Sequence, residues 1–318
     1  MQQSIILEQL SFLVILVLIG LVASKVGIIK EETRDGLVKI IFNITLPLLL
    51  FTNFSRLDLT PEILTNSLMV IVMSLGAMLL MLLAGYATSH FFKAGHEQKS
   101  VYIVHSAFGN ILYFGFPVIN ALFGELGLYY ASIYTFVSIM LLWTLGVYII
   151  TRNGKMNFSD SLRRMVNPNS VAIIAGFVLF LLNIKIPGVL LKPFQSLGGT
   201  TIYLSMLYIG SLLGLMNLKS ILGSRMVYIT ALNKNILFPL FLVFLFILMP
   251  GQWVSGLDKM VVSVVILEAA MPCMANIVIV ARIFNVDDQL ATSNVFLSTL
   301  LSIATLPMVW VLINRFIL

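Results

Sequence analysis

The sequence predicts an all-α polytopic membrane protein, with ten membrane-spanning helices forming two inverted five-helix repeats. Three observations carry this expectation. Of the 318 residues, 59% are hydrophobic and 10% charged, whereas soluble proteins carry roughly 25% charged residues. The apolar residues fall in blocks of about 20, the length that crosses a hydrocarbon core of about 30 Å. A bilayer also offers the backbone no water, so blocks of this kind must satisfy their own hydrogen bonds as helices.

The blocks run over residues 5–28, 37–55, 64–91, 101–123 and 127–150, then 169–186, 194–217, 226–249, 258–282 and 290–316. The first contains Glu8 near its start and has neither a basic leader nor a small-residue cleavage site, so it reads as a retained helix. The seventh carries Gly210 and Gly214 as G-x-x-x-G, suited to close packing or a dimer seam. In the tenth, Asn294, Ser298 and Ser302 recur at four-residue spacing, a pattern that more often packs helices than lines a path.

An even count puts both termini on one side. With the termini outside, the inner segments hold Lys25, Lys30, Arg34, Lys39, Lys93, Lys99, Arg152, Lys155, Arg163, Arg164, Lys219, Arg225 and Arg282. The outer ones hold Arg56, Lys185, Lys192, Lys259 and Arg315. That bias fits an external N-terminus. The formal net charge of +6 therefore reports topology, not nucleic-acid binding. The longest polar connection, residues 152–168, divides one membrane domain into repeats 1–153 and 154–318. Five helices per half force opposite orientations, an arrangement that recurs in secondary transporters.

The fourth and ninth blocks hold matching places in the two halves, and each has a central proline among small or polar residues. The fourth includes Gly109, Asn110, Gly115, Pro117 and Asn120; the ninth includes Glu268, Pro272 and Asn276. A proline cannot donate to the carbonyl four residues earlier, so Pro117 would free Tyr113 and Pro272 would free Glu268. A break there starts a new half-helix near the bilayer midplane, with about half a positive charge at its N-terminus. Two such ends meeting at a crossing would attract an anion without a buried cation.

These segments resemble the auxin efflux carrier family, which includes plant PIN-type carriers and bacterial malate and malonate permeases. The resemblance spans essentially the whole chain. It is sharpest at F-G-N-I-L-Y-F-G-F-P (108–117), E-A-A-M-P (268–272), F-N-V (284–286) and the N-x-T-L-P-L-L-L-F run (43–51). It implies a crossover elevator fold, in which the fourth and ninth helices cross at the substrate site. The first, second, sixth and seventh helices would form a scaffold, often dimeric, against which the other six move.

Residue by residue, the resemblance makes Asn110 a contact for the substrate carboxylate and places Ser138 on the fifth helix facing the site, near Trp143. It puts the segment after Pro47, including Thr52, along the substrate path. Local repair of a kink, or bonding within one helix, are the plainer roles for Thr52 and Ser138. Asn276, one turn after Pro272, matches no polar residue of the plant pattern. Glu268 stands where plant relatives have glutamine; as a carboxylate deep in a helix it is the candidate for proton coupling. Its other role would be as a structural partner for Lys234, which is shallow enough in its helix to snorkel to the interface.

The expected function is a secondary transporter of small organic anions such as malate, malonate or auxin-like carboxylates, working by alternating access. Its partners are the anion, membrane lipid, a proton and a second copy in a homodimer, with no nucleic acid. A sodium-coupled symporter of the bile-acid carrier type is the alternative, followed by a membrane sensor. The expected location is the cell membrane, of bacterial inner type. No Walker lysine loop, catalytic triad or zinc-protease helix is present, so no enzyme, cofactor or metal is expected. The single Cys273 allows no internal disulfide. His90, His96 and His105 lack metal-ligand spacing and read as solvated.

Overall fold

The structure, a computed structural model, describes residues 2–55, 60–91, 93–151, 165–215, 224–248 and 256–318, without the side chains of 2–10, Ser55, Ile279, Arg282 and Ile283. Several residues behind the orientation argument (Arg56, Arg152, Lys155, Arg163, Arg164 and Lys219) lie outside the described residues.

Every regular element among the described residues is helical. In chain order they are α1 (Gln2–Lys25), α2 (Glu31–Ile40), α3 (Leu46–Ser55), α4 (Pro61–Ser89), α5 (His96–Ala107), α6 (Phe116–Leu141) and α7 (Val147–Thr151). Then follow α8 (Pro168–Leu181), α9 (Gly188–Leu215), α10 (Arg225–Leu232), α11 (Phe238–Leu248), α12 (Lys259–Ala269), α13 (Asn276–Ile283) and α14 (Asp288–Phe316). Among the described residues six continuous stretches are long and apolar enough to cross a membrane: Glu31–Phe54, Pro61–Ser89, Ile111–Thr151, Gly188–Leu215, Arg225–Leu248 and Asp288–Phe316. The stretches Ser11–Lys25 and Pro168–Leu181 are apolar but shorter.

The stretch Ile111–Thr151 has 41 residues, about 60 Å if straight at 1.5 Å per residue. It is not straight. Gly124 sits inside it at φ 61° and ψ −148°, a conformation only glycine adopts freely, and separates the fourth expected block from the fifth.

Among the described residues four π turns interrupt helices that would otherwise be α: Ile41–Thr45, Ile111–Gly115, Leu142–Gly146 and Asn233–Leu237. Three of them end two residues before a proline, namely Pro47, Pro117 and Pro239. The Leu46 N–H reaches back five residues to the Ile41 carbonyl, and the Phe238 N–H likewise to Asn233. The wider turn gives the proline ring room where an α-turn would press it against a carbonyl.

The chain divides into two compact units: residues 1–68, 112–136 and 166–216, and residues 69–111, 137–165 and 217–318. In the first unit, α9 packs on α1 with almost nothing between the backbones. A methyl group on Gly210 would collide with the Val17 carbonyl, and one on Gly214 with Ser24. The G-x-x-x-G face is thus occupied by α1 of the same chain, which is how small residues let helices associate in lipid. Gly198 lies equally close to the Leu48 and Leu49 backbone, at 2.7–3.0 Å from its would-be Cβ. Aromatic rings close the other side: Tyr129 meets Phe54 at 5.0 Å and Phe180 at 5.5 Å between centroids. Ser67 and the Tyr129 hydroxyl share a 2.7 Å hydrogen bond, and Asn66 Nδ2 donates to the Tyr130 hydroxyl at 3.2 Å. These bonds fasten residues 112–136 into this unit. The second unit holds both helix breaks.

Candidate functional site: two broken helices paired at their breaks

The ninth expected helix breaks where Pro272 predicts. α12 ends at Ala269, the chain runs extended past Pro272, and α13 begins at Asn276. The Glu268 carbonyl, which loses its usual donor to the proline, accepts instead from the Met271 N–H at 3.3 Å.

The fourth helix breaks elsewhere than expected. Pro117 lies inside the second half-helix, in the first turn of α6 behind the π turn Ile111–Gly115. The break is at Phe108–Asn110, directly after α5. Its cause is pairing between the two breaks. The Asn110 N–H donates to the Pro272 carbonyl at 2.7 Å, and the Met274 N–H donates to the Phe108 carbonyl at 3.2 Å. Gly109 and Cys273 thereby form an isolated antiparallel bridge of the non-hydrogen-bonded kind, which draws opposite Cα atoms to about 4.5 Å. A Cβ on Gly109 would come within 3.1 Å of Met271 Cβ and 3.3 Å of the Glu268 carbonyl. Glycine is therefore needed for close approach, and the position of the break follows.

This pairing satisfies backbone groups that lipid could not. It also puts the start of two half-helices, at Ile111 and at Asn276, next to paired extended chain. Asn110 is 3% exposed and its Nδ2 has no hydrogen-bond partner among the described residues. Asn276 is half-buried at the first position of α13.

The residues bracing the crossing come from α14 and from the π turn before α11. Ser298 Oγ accepts from the Cys273 N–H at 2.9 Å. The Ser298 carbonyl accepts from Asn235 Nδ2 at 2.7 Å. Lys234 Nζ donates to the Ala107 carbonyl at 3.2 Å, at the C-terminal end of α5, where a helix dipole favours a cation. Asn233 Nδ2 bonds the Tyr102 hydroxyl on α5. Three consecutive residues of one π turn thus each hold a different atom of the crossing region.

Lys234 does not snorkel. It is fully buried, because the Ala107 carbonyl gives it a partner in the interior. Glu268 is fully buried as well, and neither carboxylate oxygen has a hydrogen-bond partner among the described residues. No ion pair joins the two side chains among the described residues. His105, expected in solvent, is buried on α5, while His90 and His96 are exposed. Asn294 Nδ2 donates to His105 Nδ1 at 3.2 Å, which leaves the ring hydrogen to Nε2.

The remaining predicted residues differ in what they offer. Ser138 is buried and its Oγ has no partner among the described residues, so it does not bond its own helix. Thr52 Oγ1 bonds the Leu48 carbonyl at 2.8 Å and the Leu49 carbonyl at 3.2 Å. Pro47, Thr52 and Pro117 belong to the first unit, whereas Asn110, Ser138, Lys234, Glu268, Pro272 and Asn276 belong to the second. Sequence reasoning missed Asn233, Asn235 and His105. Their signal was available: polar side chains at membrane depth are costly and rarely idle.

Comparison with known proteins places the chain among membrane transporters. A family described as membrane transport protein matches residues 5–161 and 151–310. An uncharacterized transporter of Methanocaldococcus jannaschii is 28% identical over 305 residues, covering 94% of this chain and 96% of its own. One of Methanothermobacter thermautotrophicus is 26% identical over 310 residues, covering 95% and 96%. The uncharacterized transporter YfdV of Escherichia coli K12 is 23% identical over 314 residues, covering 96% of both. With matched segments running from residue 5 to residue 310 and both helix breaks within them, the chain is a multi-pass membrane protein that belongs to the membrane transport protein family of auxin efflux carriers and their relatives.

Proposed function

We propose that the protein is a secondary carrier of small organic anions, such as malate, malonate or auxin-like carboxylates, which bind at the crossing of the fourth and ninth helices. The observation that carries this reading is the Asn110 amide nitrogen Nδ2, buried and without a hydrogen-bond partner among the described residues where two half-helices begin. An amide donor together with helix N-termini suits a carboxylate and needs no desolvated cation in direct contact. Division into two compact units, one of which contains both breaks, supports alternating access of the elevator type. Ten spans, termini outside, a homodimer and a bacterial inner membrane complete the reading.

The test is uptake by purified protein in liposomes. Malate, malonate, lactate and indole acetate are offered with and without proton and sodium gradients. Uptake of at least one anion in the wild type, reduced about tenfold or more in Asn110→Ala, is the expected result; tenfold corresponds to about 1.4 kcal/mol of lost interaction. Silence in both current and isotope flux would sink the carrier reading.

One observation favours the sodium-coupled alternative. Asn235 Oδ1, Asn294 Oδ1, Thr299 Oγ1 and both Glu268 oxygens are buried without a hydrogen-bond partner among the described residues. Hard cations take such oxygens, and uptake that follows the sodium gradient would select that reading.

A further inference from the structure

The second unit buries one cation and one carboxylate beside the crossing, and their bonding is lopsided. Lys234 has the Ala107 carbonyl at 3.2 Å. Glu268, at the end of α12 where its own carbonyl lies against Gly109, has no hydrogen bond to either oxygen among the described residues. A buried carboxylate that is tightly held normally fills its acceptor sites. Neither oxygen of Glu268 has such a contact among the described residues.

Among the described residues the surroundings leave few other groups able to balance charge. α11 contributes no ionisable side chain, and α14 faces the crossing with the uncharged Asn294, Ser298 and Thr305. α5 contributes His105, bonded through Nδ1 to Asn294, and Tyr102, bonded to Asn233 and Thr88. The break itself contributes Cys273, whose N–H is bonded to Ser298.

We propose that Glu268 is a built-in stand-in for the substrate, so that Glu268 and a bound monocarboxylate are alternative counter-ions of Lys234. This rests on the carrier reading above and names its substrate class and its coupling. Without substrate, Lys234 (+1) and ionised Glu268 (−1) sum to zero. When a monocarboxylate (−1) enters, one proton adds to a Glu268 oxygen, and the sum is again zero. Loaded and unloaded forms therefore carry equal charge, and each turn moves one anion with one proton, electroneutrally. A dianion would leave a surplus charge in a medium where charge is expensive, so monocarboxylates are preferred over malate and malonate.

The test uses the full chain in liposomes with radiolabelled lactate, and malate and malonate as dianionic comparators, with protein-free vesicles subtracted. In the wild type, an outside-acid gradient of one pH unit should raise the lactate accumulation ratio about tenfold, and membrane potential should have no effect. Glu268→Gln, close in shape, should transport lactate with no response to the pH gradient. It should respond instead to potential, about tenfold per 59 mV inside positive, because its unloaded form now carries +1. Lys234→Gln should lose lactate uptake under either gradient, with its elution profile in detergent confirming a folded protein.

Any one of the following results overturns the inference. One is pH-driven, potential-independent uptake retained in Glu268→Gln. Another is loss of the pH response in His105→Gln alone, which would move the proton to His105. A third is wild-type uptake driven by sodium, or wild-type preference for the dianions. Each of these leaves the carrier reading standing. No uptake of any of the three anions by the wild type removes this inference, and the carrier reading with it if indole acetate also fails.

Discussion

Where α9 meets α1 in the first unit, Gly210 and Gly214 leave no room for even a methyl group, and carbonyl oxygens lie against the glycine backbone. In the second unit the chain is fastened differently. Side chains reach to backbone atoms that a regular helix would have satisfied itself: Ser298 to the Cys273 N–H, Lys234 to the Ala107 carbonyl, Asn235 to the Ser298 carbonyl. The first kind of contact is short-range and steep, so it resists deformation. The second kind supports a helix that has been opened, and it leaves some polar atoms, Asn110 Nδ2 among them, without partners among the described residues. Both units solve the same problem, since apolar surface alone does not drive helices together in lipid. Each also holds buried polar atoms without a hydrogen-bond partner among the described residues, Asn169 and Thr201 in the first, Asn110 and Glu268 in the second, and only in the second do they lie at helix breaks.

The comparison breaks most visibly at Gly210. A valine there would drive its side chain into the Val17 carbonyl, and overpacking of this sort costs about 1–3 kcal/mol or more. We expect Gly210→Val to give little folded protein, read as a lower midpoint of thermal unfolding in detergent and as aggregation on size-exclusion chromatography. A wild-type midpoint would mean that α1 and α9 can separate freely. The second unit should be more forgiving. Ser298→Ala leaves the Cys273 N–H without its acceptor, a loss of about 1–3 kcal/mol. The same variant should also reduce anion uptake, because the break is no longer held; a change in stability alone would make Ser298 a packing residue. The smallest effect is expected at Asn43, whose Nδ2 bonds the Lys39 carbonyl at an exposed position. Asn43→Ala should move the unfolding midpoint by no more than about 0.5 kcal/mol equivalent, and a larger shift would place that face of the second helix in an interface.

Much of the helical layout was legible in the residues. The apolar blocks mark the helices, with ends displaced by up to six residues where polar first turns such as Glu31 and Glu32 extend the helix beyond its apolar part, and Pro272 marks its break because nothing relieves the clash there. Pro117 shows why the same reasoning fails elsewhere. A proline needs only a wider turn behind it, and Ile111–Gly115 supplies one. The actual break is set by Gly109, whose demand comes from a partner more than 160 residues away in sequence. No local rule contains that information. Lys234 was misplaced for a similar reason: depth along a helix measures distance to water, not the presence of a carbonyl to bind. His105 and Asn294 lie far apart in sequence and become a pair only through the fold.

The π turns have a bearing on how such a chain is read at all. A helical wheel assumes a constant angular step, and a π turn is in effect a single-residue insertion that resets the phase. Beyond Leu237 the wheel drawn from Arg225 points to the wrong neighbours, and the same applies beyond Thr45, Gly115 and Gly146. Within one such slip, Asn233, Lys234 and Asn235 are all buried together, although a regular helix would spread three successive residues over most of its circumference. A periodicity count scores that triplet as inconsistent with any single face, and it is the irregular turn that lets all three serve one crossing.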